Sequence, residues 1–174
     1  MPIMVSDSSR DFTPAPEGVH QAVCCDVIDL GDVETEWNGT KKVQHKIRLI
    51  WQIDAINADN NLRFCVFGRY TASLHENARL CKDLESWRGR RFTDEEKKGF
   101  DVERLIGVNC LLQVIHRTTE KGTYANVQSI MPLHRGMEAM TVMGYVRDKD
   151  RPADEVQPAE NDFVPPYPDD DIPF

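Results

Sequence analysis

The chain ends in three successive carboxylates, Asp169, Asp170 and Asp171, followed by Ile172, Pro173 and Phe174. Those residue types in that order make an anchor. Phe174 can enter a small apolar pocket while its own terminal carboxylate meets an Arg or Lys, and the Asp run steers the approach toward a basic surface. Pro173 limits the conformations lost on docking. Burying the phenyl ring contributes about 1.5–3 kcal/mol, a gain that a merely solubilising tail has no use for.

A second group of residues suits phosphates and bases. Lys42, Lys46 and Arg48 share one parity of an alternating stretch, so in a strand they face one side at intervals of about 6.6 Å per two residues and can meet successive phosphates. Arg63 and Arg69 extend that surface if the third strand turns the parity containing Phe67 to solvent, which parity alone leaves open. Trp37 lies in a polar loop beside Asn38-Gly39 and is the first candidate for stacking a base, an interaction contributing ~1–3 kcal/mol. Phe67, Tyr70 and Tyr124 are further aromatic candidates. The cluster Trp87-Arg88-Gly89-Arg90-Arg91 offers a platform and three cations, with Trp87 equally able to finish the apolar side of a helix.

Catalytic patterns are missing. The sequence has no nucleotide-binding Gly-rich loop, nucleophile elbow or His-Glu-x-x-His motif, and no enzymatic activity is expected. Asp26, Asp29 and Glu103 are the carboxylates offered for metal-assisted phosphodiester cleavage, at a spacing that is nonspecific. Five cysteines and five histidines show no ligand spacing. Reduced thiols are therefore expected, with no metal and no cofactor.

The elements that must position these residues follow from composition and periodicity. At 174 residues, 40% of them hydrophobic and 29% charged, the chain suits one domain with an appendage. No apolar run reaches the length of a signal segment or membrane span, so a cytoplasmic location and no membrane partner are expected. The net charge of −8 is unevenly placed, because residues 147–174 hold nine Asp or Glu against three Lys or Arg. The remainder is nearly neutral and can still present a basic stripe.

Residues 1–16 read as a flexible arm. Strands are predicted over residues 19–30, with an irregularity that suggests a bulge, over 42–53 and over 62–70. A helix over 74–87, opened by a capping box of Ser73 and Glu76, leads to helical turns starting at Thr93 and Asp101. Two more strands occupy 108–116 and 123–131. The β-β-β-α-β-β order predicts an all-β fold with a helical connection, a five-stranded OB-fold barrel over residues 17–131 with Ile47, Leu49, Trp51, Val114 and Val127 in its core. Residues 132–146, with Met137, Met140, Val142, Met143 and Tyr145, either pack on the barrel or form a homo-oligomer contact. Residues 147–174 read as a disordered acidic tail.

The Asp-Asp-Asp-Ile-Pro-Phe string resembles the C-terminal peptide of bacterial single-stranded DNA-binding proteins. In that family it docks replication and repair enzymes. The resemblance implies sequence-independent binding of single-stranded DNA in replication, recombination or repair, with recruitment of host enzymes through residues 169–174. The Val/Leu-rich opening strand and Gly-Asn-Leu segment of the bacterial family are absent, and the body looks more like bacteriophage-encoded replication proteins that carry host-like tails. An adaptor that uses the tail without binding DNA and a metal-dependent nuclease are the alternatives.

Overall fold

The computed structural model describes residues 13–151. The terminal anchor and most of the arm and tail lie outside the described residues.

Five strands form one antiparallel sheet: β1 Gly18–Trp37, β2 Thr40–Asn57, β3 Leu62–Thr71, β4 Asn109–Thr119 and β5 Gly122–Met131. β1 is the central strand, pairing along most of its length with β2 and through Gly18 to Val23 with β4. The bulge expected in the first strand is doubled, with register shifts between Cys24 and Asp26 and between Asp29 and Gly31. Each extra residue bends the strand. The β1–β2 hairpin closes on Asn38-Gly39, with φ of 48° and 79°. Positive φ at both central residues is what a type I′ turn requires and what Asn-Gly supplies.

The alternation in β2 buries Ile47, Leu49, Trp51 and Ile53 on one face, against Val66 and Tyr70 of β3, Leu112 and Val114 of β4, and Val127 and Ile130 of β5. The five predicted core residues are all among them. Helix α1, Arg79–Arg88, adds Leu80, Cys81, Leu84 and Trp87 to this core. It begins later than predicted, because Ser73 Oγ accepts from the His75 amide at 3.2 Å in a local turn and Ala78 supplies no side-chain cap. The turn predicted to start at Thr93 forms as the single turn α2, Asp94–Lys97, opened by a capping box of Thr93 and Glu96. A 3-10 turn, Val102–Leu105, follows.

The predicted OB-fold barrel does not form. The strand order β3-β2-β1-β4-β5 leaves β3 and β5 as edges of an open sheet with no ladder between them. The physical reason is α1, whose side chains take backbone acceptors of β5. Arg79 donates to the Val127 carbonyl at 3.1 Å and Ser86 Oγ to the Ile130 carbonyl at 2.6 Å. From β3, the Tyr70 hydroxyl donates to Asp83 at 2.8 Å. Side chains of one helix thus join two edges that a barrel would join through its backbone.

Beyond β5 the chain returns across the outer face of the sheet. Its attachments are polar. The Asn109 carboxamide donates to the Met140 carbonyl at 2.8 Å and accepts from the Met140 amide at 2.7 Å. The Gln52 carboxamide does the same with Met143, at 2.7 and 2.9 Å. Gln21 reaches the Glu138 carbonyl and Arg63 the Thr141 carbonyl, at 2.6 and 2.7 Å. Residues 132–148 are therefore a strap held on the chain's own sheet mainly through its backbone. Among the described residues no helix is long and apolar enough to cross a membrane.

Candidate nucleic-acid interface

The register places one group of predicted contacts together. Thr35 pairs with Lys42, Gly31 with Lys46, Ile28 with Arg48, and on the other side of β2 Lys46 pairs with Thr71, Arg48 with Arg69 and Ile50 with Phe67. Residues of the same parity share a face. Lys42, Lys46 and Arg48 of β2, Arg69 and Phe67 of β3 and, two residues beyond Thr35, Trp37 at the hairpin tip consequently occupy the outer face. Trp37 is 53% exposed, as a stacking residue must be. From Lys42 to Arg48 the stripe runs about 20 Å at the strand rise of ~3.3 Å per residue.

Within the stripe the arginines stand in an unusual relation. Arg48 and Arg69 are directly opposite across β2 and β3, where like charges repel. Burial and then the Arg69 charge lower the Arg48 pKa below its ordinary value. The Arg48 guanidinium lies 4.9 Å from the centre of the Phe67 ring, a cation–π contact that orients it. Lys46 departs from the expectation of an exposed cation: it is only 8% exposed and its ammonium donates to Thr71 Oγ1 at 2.7 Å. Its residue type suits a phosphate, but the structure gives it a local hydroxyl and little solvent.

Arg63 lies at the strap end of β3, where it is held on Thr141. Its head group is fixed by a strap bond that strand parity does not reveal. Gln52 on the same face looks in sequence like one more polar strand residue, yet it is a strap holder. Nothing in the sequence distinguishes it, because its ligand is backbone.

The cluster at the end of α1 is a separate place. Trp87 is not a stacking platform: it is 4% exposed, its indole nitrogen donates to the Asn109 carbonyl at 2.9 Å, and its ring lies 6.0 Å from that of Trp51. The helical spacing of Leu80, Leu84 and Trp87 puts it on the core side. Arg88 bonds Glu96 at 2.9 Å and sits 4.5 Å over the Phe92 ring, while Arg90 and Arg91 are exposed. These three cations share no strand with the stripe.

The carboxylates offered for metal chemistry have other partners. Asp26, 1% exposed, accepts from Arg147 Nε at 3.0 Å, the Tyr145 hydroxyl at 3.0 Å and the amides of Val27 and Asp148 at 2.8 Å. Glu103 takes both terminal nitrogens of Arg147, at 2.8 and 2.9 Å, and that interaction holds its pKa below the ordinary carboxylate range. Burial, reinforced by the Asp26 charge, pushes the Tyr145 phenol up. Asp29 faces His45 at 2.7 Å. Among the described residues no group of three or more His, Cys, Asp or Glu is arranged to hold a metal ion. Arg147 and Asp148, expected in the tail, belong to the body.

No protein-family model matches the chain, and no characterised protein matches it in sequence. Function must therefore be read from the residues themselves.

Proposed function

We propose that the chain binds single-stranded DNA without sequence preference along the outer-face stripe, and recruits enzymes of replication, recombination or repair through residues 169–174. The observation that carries the first half is the opposed pair Arg48 and Arg69 beside Phe67. Two cations that repel one another in the free protein form a seat for a phosphate, whose charge relieves the repulsion, while the neighbouring ring offers a π-face to any base. Trp37 and Lys42 continue the same chemistry toward the hairpin tip. The second half is supported by the residue types of the terminal hexapeptide and their resemblance to a known docking signal.

The test uses the whole chain with Arg48 and Arg69 both changed to Gln. Removal of the repulsion leaves the melting temperature equal or higher, while affinity for oligo-dT and for a mixed-sequence strand falls by similar factors. The salt slope falls by about 0.7, the value for one phosphate on a single strand that is no longer neutralised. Unchanged affinity and slope in the folded variant would remove DNA from the stripe. Recruitment without any binding of single strands at low salt would leave the adaptor.

A further inference from the structure

A cavity of about 520 Å³ opens where α1, α2, the 3-10 turn and the start of the strap converge. It falls within the size range of small-ligand sites, ~300–1,000 Å³, and it shares no residue with the outer-face stripe. Its apolar part is aromatic. Trp87 and Phe92 are buried, Phe100 is half-buried, and the Phe92 and Phe100 rings meet edge to face with centroids 5.2 Å apart. Such a pair offers a ring face and a ring edge, the two surfaces against which a further aromatic ring packs.

The polar part carries both signs, and the two signs differ in what they already hold. Arg88, Arg90 and Arg104 line the cavity together with Glu96 and Asp101. Both acids are engaged. One Glu96 oxygen accepts from Arg88 at 2.9 Å and the other from the Thr93 amide at 3.0 Å, and these bonds hold the Glu96 pKa below the ordinary carboxylate range. Asp101 caps the 3-10 turn, accepting from the Glu103 amide at 3.0 Å. Arg88 is committed to Glu96 and lies 4.5 Å over the Phe92 ring. Arg90 stands 3.9 Å from Glu96, beyond hydrogen-bonding distance, with its side chain 71% exposed. Arg104 is exposed and makes no ion pair among the described residues.

We infer that this cavity binds a small aromatic monocarboxylate, with its rings among Trp87, Phe92 and Phe100 and its carboxylate on Arg90 and Arg104. The sign follows from the partners. An anion meets two guanidinium groups with N–H donors to offer, whereas a cation meets carboxylates whose oxygens already accept. The single charge follows from the lining, since three cations against two acids leave one positive charge for a ligand to neutralise. The aromatic class follows from the edge-to-face pair, which a third ring extends. This is a binding function separate from the stripe and from residues 169–174, and it gives Arg90, offered in the sequence to a DNA strand, a different ligand.

The test titrates the whole chain with 2-naphthoate, with 2-naphthylmethanol as its neutral counterpart and with 2-naphthylmethylammonium as the cation, following backbone amide shifts so that affinity and place are read together. The carboxylate is expected to bind with a dissociation constant on the order of 0.1–1 mM, in keeping with about 13 non-hydrogen atoms, and to shift amides within residues 87–109 and 132–133. It should exceed the alcohol about tenfold, as a charge-assisted bidentate contact allows, and the ammonium should bind most weakly. Arg90→Gln combined with Arg104→Gln removes the tenfold preference and leaves the alcohol's affinity and the melting curve unchanged, both side chains being exposed. Phe100→Ala weakens carboxylate and alcohol alike. Absence of saturable shifts, equal affinity for the three probes, preference for the ammonium, or a preference for the carboxylate that survives the double arginine change overturns the assignment, as do shifts confined to the outer-face strands. Saturating oligo-dT should leave the naphthoate bound; its displacement overturns a separate site and gives the cavity to the strand. The probe titration decides the cavity whether or not the strand binds.

Discussion

Arg147 lies 121 positions after Asp26, and its Nε stands 3.0 Å from the Asp26 carboxylate. That carboxylate is closed off from solvent and also holds Tyr145 and the amide of Asp148, so the end of the strap is fastened to the central strand by a buried charge. Arg147→Ala leaves this charge without its cation. A loss of about 3 kcal/mol in unfolding free energy is expected from breaking a buried pair on one side, together with faster amide exchange over residues 138–148. Equal exchange in the variant and the parent would show that Gln52 and Asn109 hold the strap unaided.

Acid should loosen the same region. Glu103 and Glu96 both have pKa values below the ordinary range, through hydrogen bonds from Arg147 and Arg88 respectively. A depressed folded pKa contributes stability that is present above the unfolded pKa, about 4.3 for Glu, and lost as pH falls through the folded value. Melting temperature is expected to drop below about pH 4 on account of these groups. The Glu103→Gln variant should melt lower than the parent at about pH 6 and converge with it as the pH falls through the folded value; a gap that stays constant as acid is added would contradict the assignment.

Gly68 faces the ring of the residue two places on. A Cβ at this position would stand 2.8 Å from Tyr70 Cε2 and 3.0 Å from its hydroxyl oxygen, and the ring cannot retreat because Tyr70 is 1% exposed and bonded to Asp83. Gly68→Ala should cost about 1–3 kcal/mol, the usual penalty of overpacking. Tyr70→Phe in the same background separates crowding from loss of the Asp83 bond. If Gly68→Ala is neutral in chemical denaturation, the strand has room the geometry does not show.

Thiol chemistry should single out Cys65. It is exposed and its pKa is lowered, chiefly by a hydrogen bond from Cys25 and also by the charge of Arg151, whereas burial pushes Cys24 up to about 12 and raises Cys81 and Cys110 as well. Alkylation near about pH 8 is expected to modify one site per folded chain, absent in Cys65→Ser, with the remainder reacting only on unfolding. Peptide mapping that finds another cysteine first would refute this order.

Local signals in the sequence are reliable where a short stretch contains its own physics. Asn38-Gly39 announces its turn because few other pairs tolerate two positive φ values, and Thr93 with Glu96 announces a capping box because both halves lie within four residues. The β2 alternation likewise identifies Ile47, Leu49 and Trp51 as core. Ser73 and Glu76 show the limit of such signals: the residues fit a cap, but the hydroxyl finds a nearer amide.

Relations between distant elements are what a single sequence does not display. Closure of the predicted barrel depends on whether β3 and β5 can pair, and Arg79, Asp83 and Ser86, ordinary helix residues by type, decide otherwise. Asp26 resembles a metal ligand until Arg147 is placed on it. Trp87 suits a base or a core equally well by type and spacing, and only its bond to Asn109 and its packing on Trp51 separate the two.

The strap is recognised by its peptide groups. Asn109 and Gln52 each grip the amide and carbonyl of a single residue, Met140 and Met143, and neither bond depends on which side chain that residue carries. Met137, Met143 and Val146 meanwhile point largely into solvent. From 137 to 143 the chain therefore has a ribbon whose lettering can be rewritten while its fastening is kept, with Tyr145 and Arg147 left as the side-chain clasp at its end, so new binding specificities could be written on this face by mutation or by grafting without disturbing the sheet beneath.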